Sequence, residues 1–145
     1  MQIIMKQSNT HFSHSLETNS LAEKIWQIWT DVPNWNQWDK GLKSAELQGD
    51  FAAQTKGFLM PDKGFKANFI ITEVIDNQSY TFKTNVPFGA LYVKRFLSKK
   101  EGKTIFTHEV WFTGISKGLF GLLLGNNYRK ILPEVMNEIK KIAEQ

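Results

Sequence analysis

The spacing of apolar positions along this chain changes period twice, and the changes divide it into three parts. Phe12, His14, Leu16 and Thr18 alternate with Ser13, Ser15 and Glu17, the two-residue repeat of a half-buried strand. The repeat then lengthens, and Leu21, Ile25, Trp26 and Trp29 fall on one face of a helix. Asn19 or Ser20 is placed to cap it, with Glu23 at capping-box distance from Ser20. Pro33 stops the helix by disfavouring helical backbone at Val32. Residues 34–39 have room for one or two further turns carrying Trp35 and Trp38.

From Gly41 to Gly114 the period is two again, with candidate strands at 42–47, 55–60, 65–75, 79–85, 90–98 and 104–113. Between them lie the residues hairpins use: Gly49-Asp50, Pro61-Asp62-Lys63-Gly64, Asp76-Asn77-Gln78, Pro87-Phe88-Gly89 and Glu101-Gly102. Nothing here is helical for long enough to cross over, so the strands form an antiparallel meander. Then Tyr128, Ile131, Leu132, Val135, Ile139 and Ile142 recur every three or four residues, which predicts a long amphipathic C-terminal helix. Its front end, residues 119–125, is apolar all round and must be surrounded by protein or bound to something. Pro133 removes one backbone donor, so a bend is expected there.

Four of the five tryptophans, Trp26, Trp29, Trp35 and Trp38, fall within thirteen residues, which suggests a gate or end-plug on a sizeable apolar interior. Phe58, Met60, Phe65, Phe69, Phe82 and Phe88 read as core, and the turns at 61–64 and 87–89 as the mouth of that interior. At 145 residues the chain suits one domain, 1–145, with residues 1–9 read as a flexible N-terminal extension. With no cysteine, disulfides and thiolate chemistry are excluded. The first twelve residues do not read as a signal peptide, and no apolar run approaches the ~20 residues of a membrane span. A soluble cytoplasmic protein with no stable membrane insertion is expected. The net charge of +4 rests on lysine, with Arg95 and Arg129 the only arginines. Specific nucleic-acid readers favour arginine's bidentate fork, so no nucleic-acid partner is expected.

The last hairpin permits a register argument. With its tip at residues 100–103, Leu97 faces Phe106, Val93 faces Val110 and Leu91 faces Phe112 on one side. The other side then pairs Lys94 with Glu109 and Tyr92 with Trp111, a charge complement and an aromatic pair. A one-residue slip loses both pairings. The chosen register sets Arg95 opposite His108 among the aliphatic, inward-facing residues.

The chain resembles the START-like (SRPBCC, helix-grip) superfamily, and within it the polyketide cyclase/dehydrase-like group, over about residues 12–143. The resemblance rests on Ile25-Trp26, Asp31, Asn34-Trp35-Asn36-Gln37-Trp38-Asp39, Ile71-Thr72-Glu73-Val74, the run Thr107-His108-Glu109-Val110-Trp111-Phe112-Thr113-Gly114, and Leu132-Pro133. None of these is a catalytic signature, and the fold does not by itself settle function. It implies an α+β helix-grip fold, in which a curved seven-stranded antiparallel sheet (β-α-α-β6-α) wraps around the long C-terminal helix. It also implies a cavity between sheet and helix, and a first strand beside the last, so that His14 projects inward near Arg95 and His108.

Three readings follow. In the first, the protein is a binding module enclosing a small hydrophobic, amphipathic or lipid-like ligand. Phe69, Val93, Val110, Phe112, Leu119, Phe120, Leu123 and Tyr128 form its wall, Trp38 contributes to the site, and Arg95, His108 and His14 orient a carboxylate, phenolate or enolate. In the second, a cyclase- or dehydratase-like enzyme uses the same cavity, with His108 as general acid or base and Arg95 stabilising an oxyanion. In the third, an interaction protein such as a chaperone cofactor or toxin-like ribosome binder uses the exposed sheet face or the end at residues 118–125, with an apolar patch around Phe120 and Leu124. Against the first two stands a structural network in which Arg95 pairs with Glu73 or a backbone carbonyl and His108 is a satisfied core residue. The spacing of His11, His14 and His108 does not suit zinc, and no metal or cofactor is expected. Asp31 is expected to end the first helix and Asp39 to be solvated; serine-nucleophile and phosphate-loop motifs are absent.

Overall fold

The computed structural model describes residues 7–145, so most of the expected extension over residues 1–9 lies outside the described residues. The chain runs through β1 (His11–Thr18), α1 (Ala22–Thr30), a 3-10 helix (Val32–Gln37), β2 (Leu42–Leu47), β3 (Lys56–Pro61) and β4 (Ala67–Ile75). It continues through β5 (Ser79–Val86), β6 (Gly89–Lys100), β7 (Lys103–Gly114), a single turn α2 (Lys117–Phe120), a π-helical turn (Gly121–Gly125) and α3 (Asn126–Ala143). The strands form one seven-stranded antiparallel sheet in the order β1-β7-β6-β5-β4-β3-β2. This is the expected α+β meander, with the first strand returning beside the last.

The β6–β7 hairpin has the predicted register: Leu97 pairs with Phe106, Arg95 with His108, Val93 with Val110 and Tyr92 with Trp111. Its two-residue turn places Glu101 and Gly102 at φ of 52° and 80°. Positive φ at both positions is what lets so tight a turn match the strand twist. On the outer face the Tyr92 and Trp111 rings stack 5.3 Å apart.

The inner face is lined by Phe12, Phe69, Ile71, Tyr80, Phe82, Val93, Phe106, Val110 and Phe112, all buried. Leu132, Met136, Ile139 and Ala143 of α3 join them in one core with the four clustered tryptophans. Those tryptophans fill the space beneath the sheet. Trp35 lies against Phe69 and Phe82, at centroid distances of 5.9 and 5.7 Å, and its indole donates to the Trp29 carbonyl at 2.8 Å. That bond ties the 3-10 helix to the end of α1, where Asp31 terminates the α-helical run as expected.

Several local expectations are corrected. Neither Asn19 nor Ser20 caps α1: the capping position is Leu21, which is exposed, and no side chain caps it. Thr18 instead accepts from the Ser20 amide and donates to Glu144, which draws the turn toward the end of α3. Phe65 and Phe88 are not core but 95% and 83% exposed, because both stand on connections beyond the sheet edge. Pro133 lies inside the single long helix α3, where the sequence placed it.

The apolar front end is also different from expectation. Gly121 and Gly125 are buried because the Asn9 backbone lies across both, with the Thr10 side chain also against Gly121, and a Cβ on either would overlap that segment. Leu122, Leu123 and Leu124 are thereby turned to solvent. Replacing glycine by alanine inside a helix ordinarily stabilises it by about 1 kcal/mol. Here Gly125→Ala is expected to destabilise by about 1–3 kcal/mol, because the Asn9 carbonyl and the Phe112 ring must move. Urea unfolding of the two proteins measures the sign.

Candidate functional site

Strand β6 delivers Arg95 to the middle of the inner face, between Tyr80 of β5 and His108 of β7, its two register partners. Arg95 as a whole is only 3% exposed. No carboxylate lies within ion-pair distance of it among the described residues. One terminal nitrogen donates to the Tyr80 hydroxyl. Its Cζ lies 5.0 Å from the ring centres of Trp35 and of Trp38, 5.2 Å from Phe82 and 5.7 Å from Tyr80. A desolvated cation among aromatic faces is attracted by their quadrupoles. Burial opposes its charge, but Tyr80, Tyr128 and Asp39 outweigh that penalty and hold it protonated.

His108 is fully buried, and its Nε2 receives the Trp29 indole N–H at 3.1 Å. An indole nitrogen can only donate, so Nε2 must carry the lone pair and the neutral ring holds its proton on Nδ1. Burial pushes His108 well below its ordinary range, and the charges of Arg95 and His14 push the same way. Among the described residues Nδ1 has no hydrogen-bond partner, and neither does Arg95 Nε or Trp38 Nε1. All three are N–H donors. The Trp38 and His108 rings lie 6.3 Å apart, so the donors sit on neighbouring side chains around the cation.

Asp39 approaches from the end of the 3-10 helix. It is half-buried rather than solvated, which corrects the sequence reading. Burial raises its carboxyl above the usual value, against the pull of Arg95 and of the Gly41 amide. Tyr128 of α3 likewise faces Arg95; its hydroxyl is raised by burial, and Asp39 adds to the rise. Tyr80 is pushed up to about 12, mainly by burial. Next to this group a cleft of about 320 Å³ opens between Trp38-Asp39-Lys40-Gly41 and the α3 residues Asn127, Ile131, Glu134, Val135 and Glu138. Trp38 also lines a second cleft of about 200 Å³ between α1 and Ile142.

Of the residues singled out from sequence, the fold brings Arg95, His108, His14 and Trp38 together. His14 lies opposite His108 in the β1–β7 pairing. Phe69, Val93, Val110 and Phe112 are buried on the same face, and Phe120 and Tyr128 pack partly against the core. Leu119 and Leu123 do not join that wall: they are 56% and 60% exposed, for the reason given by the glycines. Glu73 is exposed and does not reach Arg95, whose partner is Tyr80. Tyr80 was legible, because a two-residue turn joining Val86 to Gly89 fixes the pairing that sets it opposite Arg95. Asp39 and Trp29 had no comparable signal, since their place depends on how the helices settle on the sheet.

No protein-family model and no curated protein sequence matches the chain. Solved structures do. A protein of Mesorhizobium loti matches with a TM-score of 0.75 at 12% identity, over 92% of this chain and 96% of that one. Norcoclaurine synthase from Thalictrum flavum, solved with dopamine and hydroxybenzaldehyde, matches at 0.68 and 12%, over 98% and 95%. The di-domain ARO/CYC protein StfQ of the steffimycin biosynthetic pathway matches at 0.72 and 9%, and this chain spans 50% of its length. The chain therefore has the helix-grip fold of the START-like (SRPBCC) proteins.

The state of His108 has a pH consequence. Its folded-state value lies below the ordinary 6.5, so below that pH the unfolded chain takes up a proton that the native ring refuses. Stability is complete above 6.5 and falls as pH drops toward the folded value, by up to about 1.4 kcal/mol per pH unit. Asp39 acts with the opposite sign, but only in the acidic range just above its ordinary 3.8. Urea midpoints measured between pH 7 and 5 are expected to fall for the native protein. In His108→Gln, whose amide oxygen still accepts from Trp29, they are expected to fall much less.

Proposed function

We propose that this protein is a binding module for a small hydrophobic or amphipathic molecule, held in the cleft between residues 38–41 and α3 with a negatively polarised oxygen turned toward Arg95. The observation that carries this reading is the trio of buried N–H donors, on Arg95, His108 and Trp38, that no group among the described residues satisfies. Each such donor costs about 1–3 kcal/mol when left unmet. Three on adjoining side chains around one cation form a receptor for an acceptor atom rather than three separate packing faults. The cleft beside Trp38 and Asp39 has the scale of a small-ligand site, and Ile131 and Val135 give it an apolar wall. In support, the norcoclaurine synthase of the same fold was solved with small aromatic molecules.

Binding is favoured over turnover by the state of the imidazole. The lone pair that a general base would use is already engaged by Trp29. A cyclase- or dehydratase-like reaction at this site would draw on Asp39 instead, the carboxyl whose proton affinity burial raises next to the cation.

Calorimetric titration with 2-naphthoate and with its uncharged methyl ester tests the anchor. The acid is expected to bind more tightly than the ester. Arg95→Met is expected to weaken the acid about tenfold or more while leaving the ester little changed. Equal binding of acid and ester, or an Arg95→Met variant that still prefers the acid, removes the anchoring role.

A further inference from the structure

Most of the large apolar side chains that the described residues expose lie on two neighbouring segments. Phe88 tops the β5–β6 turn, and Ile115, Leu119, Leu122, Leu123 and Leu124 follow β7. The segments are joined: Ser116 Oγ donates to the Pro87 carbonyl at 2.6 Å, and the Ser116 amide to the Phe88 carbonyl at 3.4 Å. The leucines are exposed because Gly121 and Gly125 face the Asn9 backbone, where a Cβ on either would overlap residues 9–10.

The charge of this tip is one-sided. From Val110 to Pro133 the chain holds no Asp or Glu, while Lys117, Arg129 and Lys130 are all exposed. The β5–β6 turn adds no acid either, from Thr84 to Val93. An apolar surface flanked by cations matches a bilayer with anionic headgroups, where the phosphates take the cations and the acyl boundary takes the leucines. A second copy of the chain matches it poorly, because a two-fold contact would set the same unneutralised cations against each other. No helix among the described residues is long and apolar enough to cross a membrane, so the contact is peripheral.

We propose that this tip docks the protein on the surface of an anionic lipid bilayer, with Phe88, Leu119, Leu122 and Leu123 entering the headgroup–acyl boundary and Lys117, Arg129 and Lys130 facing lipid phosphates. Docking is separate from occupancy of the cleft, since neither set of side chains belongs to the Arg95 group.

Co-sedimentation with vesicles of phosphatidylcholine and phosphatidylglycerol at roughly three to one tests it, with pure phosphatidylcholine as the control. The native chain is expected to sediment with the anionic vesicles, less as salt is raised, and not with the neutral ones. The double variant Leu122→Gln, Leu123→Gln is expected to lose about tenfold or more in vesicle affinity. Lys117→Gln, Arg129→Gln and Lys130→Gln together are expected to weaken binding and remove its salt dependence. This second set touches only exposed charges, so it decides the matter even if the leucine variant fails to fold. The proposal is overturned if the native chain ignores anionic vesicles, or if both sets bind as the native chain does. It is equally overturned if sedimentation velocity shows a native dimer that the leucine variant converts to monomer, since the face then joins two copies.

Discussion

A guanidinium withdrawn from water, with no carboxylate in contact among the described residues, sets the terms for the interior of this protein. Moving such a charge out of solvent costs several kcal/mol even after relaxation. What holds Arg95 charged is a set of weaker partners acting together: one phenol in hydrogen-bond contact, a second phenol and a carboxyl facing it, and four aromatic rings around it. Those partners come from β5, the 3-10 helix and α3, so the cation can stay buried only if all three are in place. The tryptophan-rich segment accordingly has a role beyond filling volume. Trp35 and Trp38 present faces to the cation, and Trp29 fixes the tautomer of the histidine beside it.

That arrangement has a direction. Among the described residues, every buried side-chain polar atom left unmet in it is a donor, and three of the nearby acceptors are already committed: Nε2 of His108 to Trp29, the Tyr80 oxygen to Arg95, and the Trp29 carbonyl to Trp35. A network that merely secured a core would be expected to balance donors against acceptors, because leaving either unmet is costly. The imbalance explains why the same residues support a receptor for an oxygen and argue against His108 as a base.

Much of this was legible in the chain, and what was not has physical reasons. The β6–β7 register could be read because its outer face carries a complementary charge pair and an aromatic pair that only one alignment satisfies. Once β1 lies beside β7, His14, His108 and Arg95 follow by alternation. The fate of Asp39 could not be read from periodicity, since the α3 residues that share its cleft lie more than eighty residues away in the chain. Leu119 and Leu123 misled for a different reason. Their apolarity suggested an inward face, whereas the decisive information lay in the two glycines four residues apart, whose missing side chains let the Asn9 backbone approach. The absent cap on α1 belongs with these: Thr18 takes the Ser20 amide and bonds Glu144, a partner that local sequence does not reveal, while Ser20 Oγ turns to the Leu21 carbonyl.

Structures at 9–12% identity superpose over nearly all of this chain, which shows how little of the fold depends on any particular side chain. A seven-stranded meander with a helix laid across it requires alternation, tight turns and an amphipathic last helix, and many sequences supply those. It does not require an arginine at the centre of the inner face. A methionine there would pack without a desolvation cost, and replacing a buried charge by an apolar residue often leaves stability the same or higher. An expensive residue that the architecture does not need is what the proposed anchoring role would account for. By the same reasoning, the exposed leucines beside buried glycines are a second cost that the sheet does not impose. The interior cation and the apolar tip are therefore the two places where this sequence departs from what its fold alone demands.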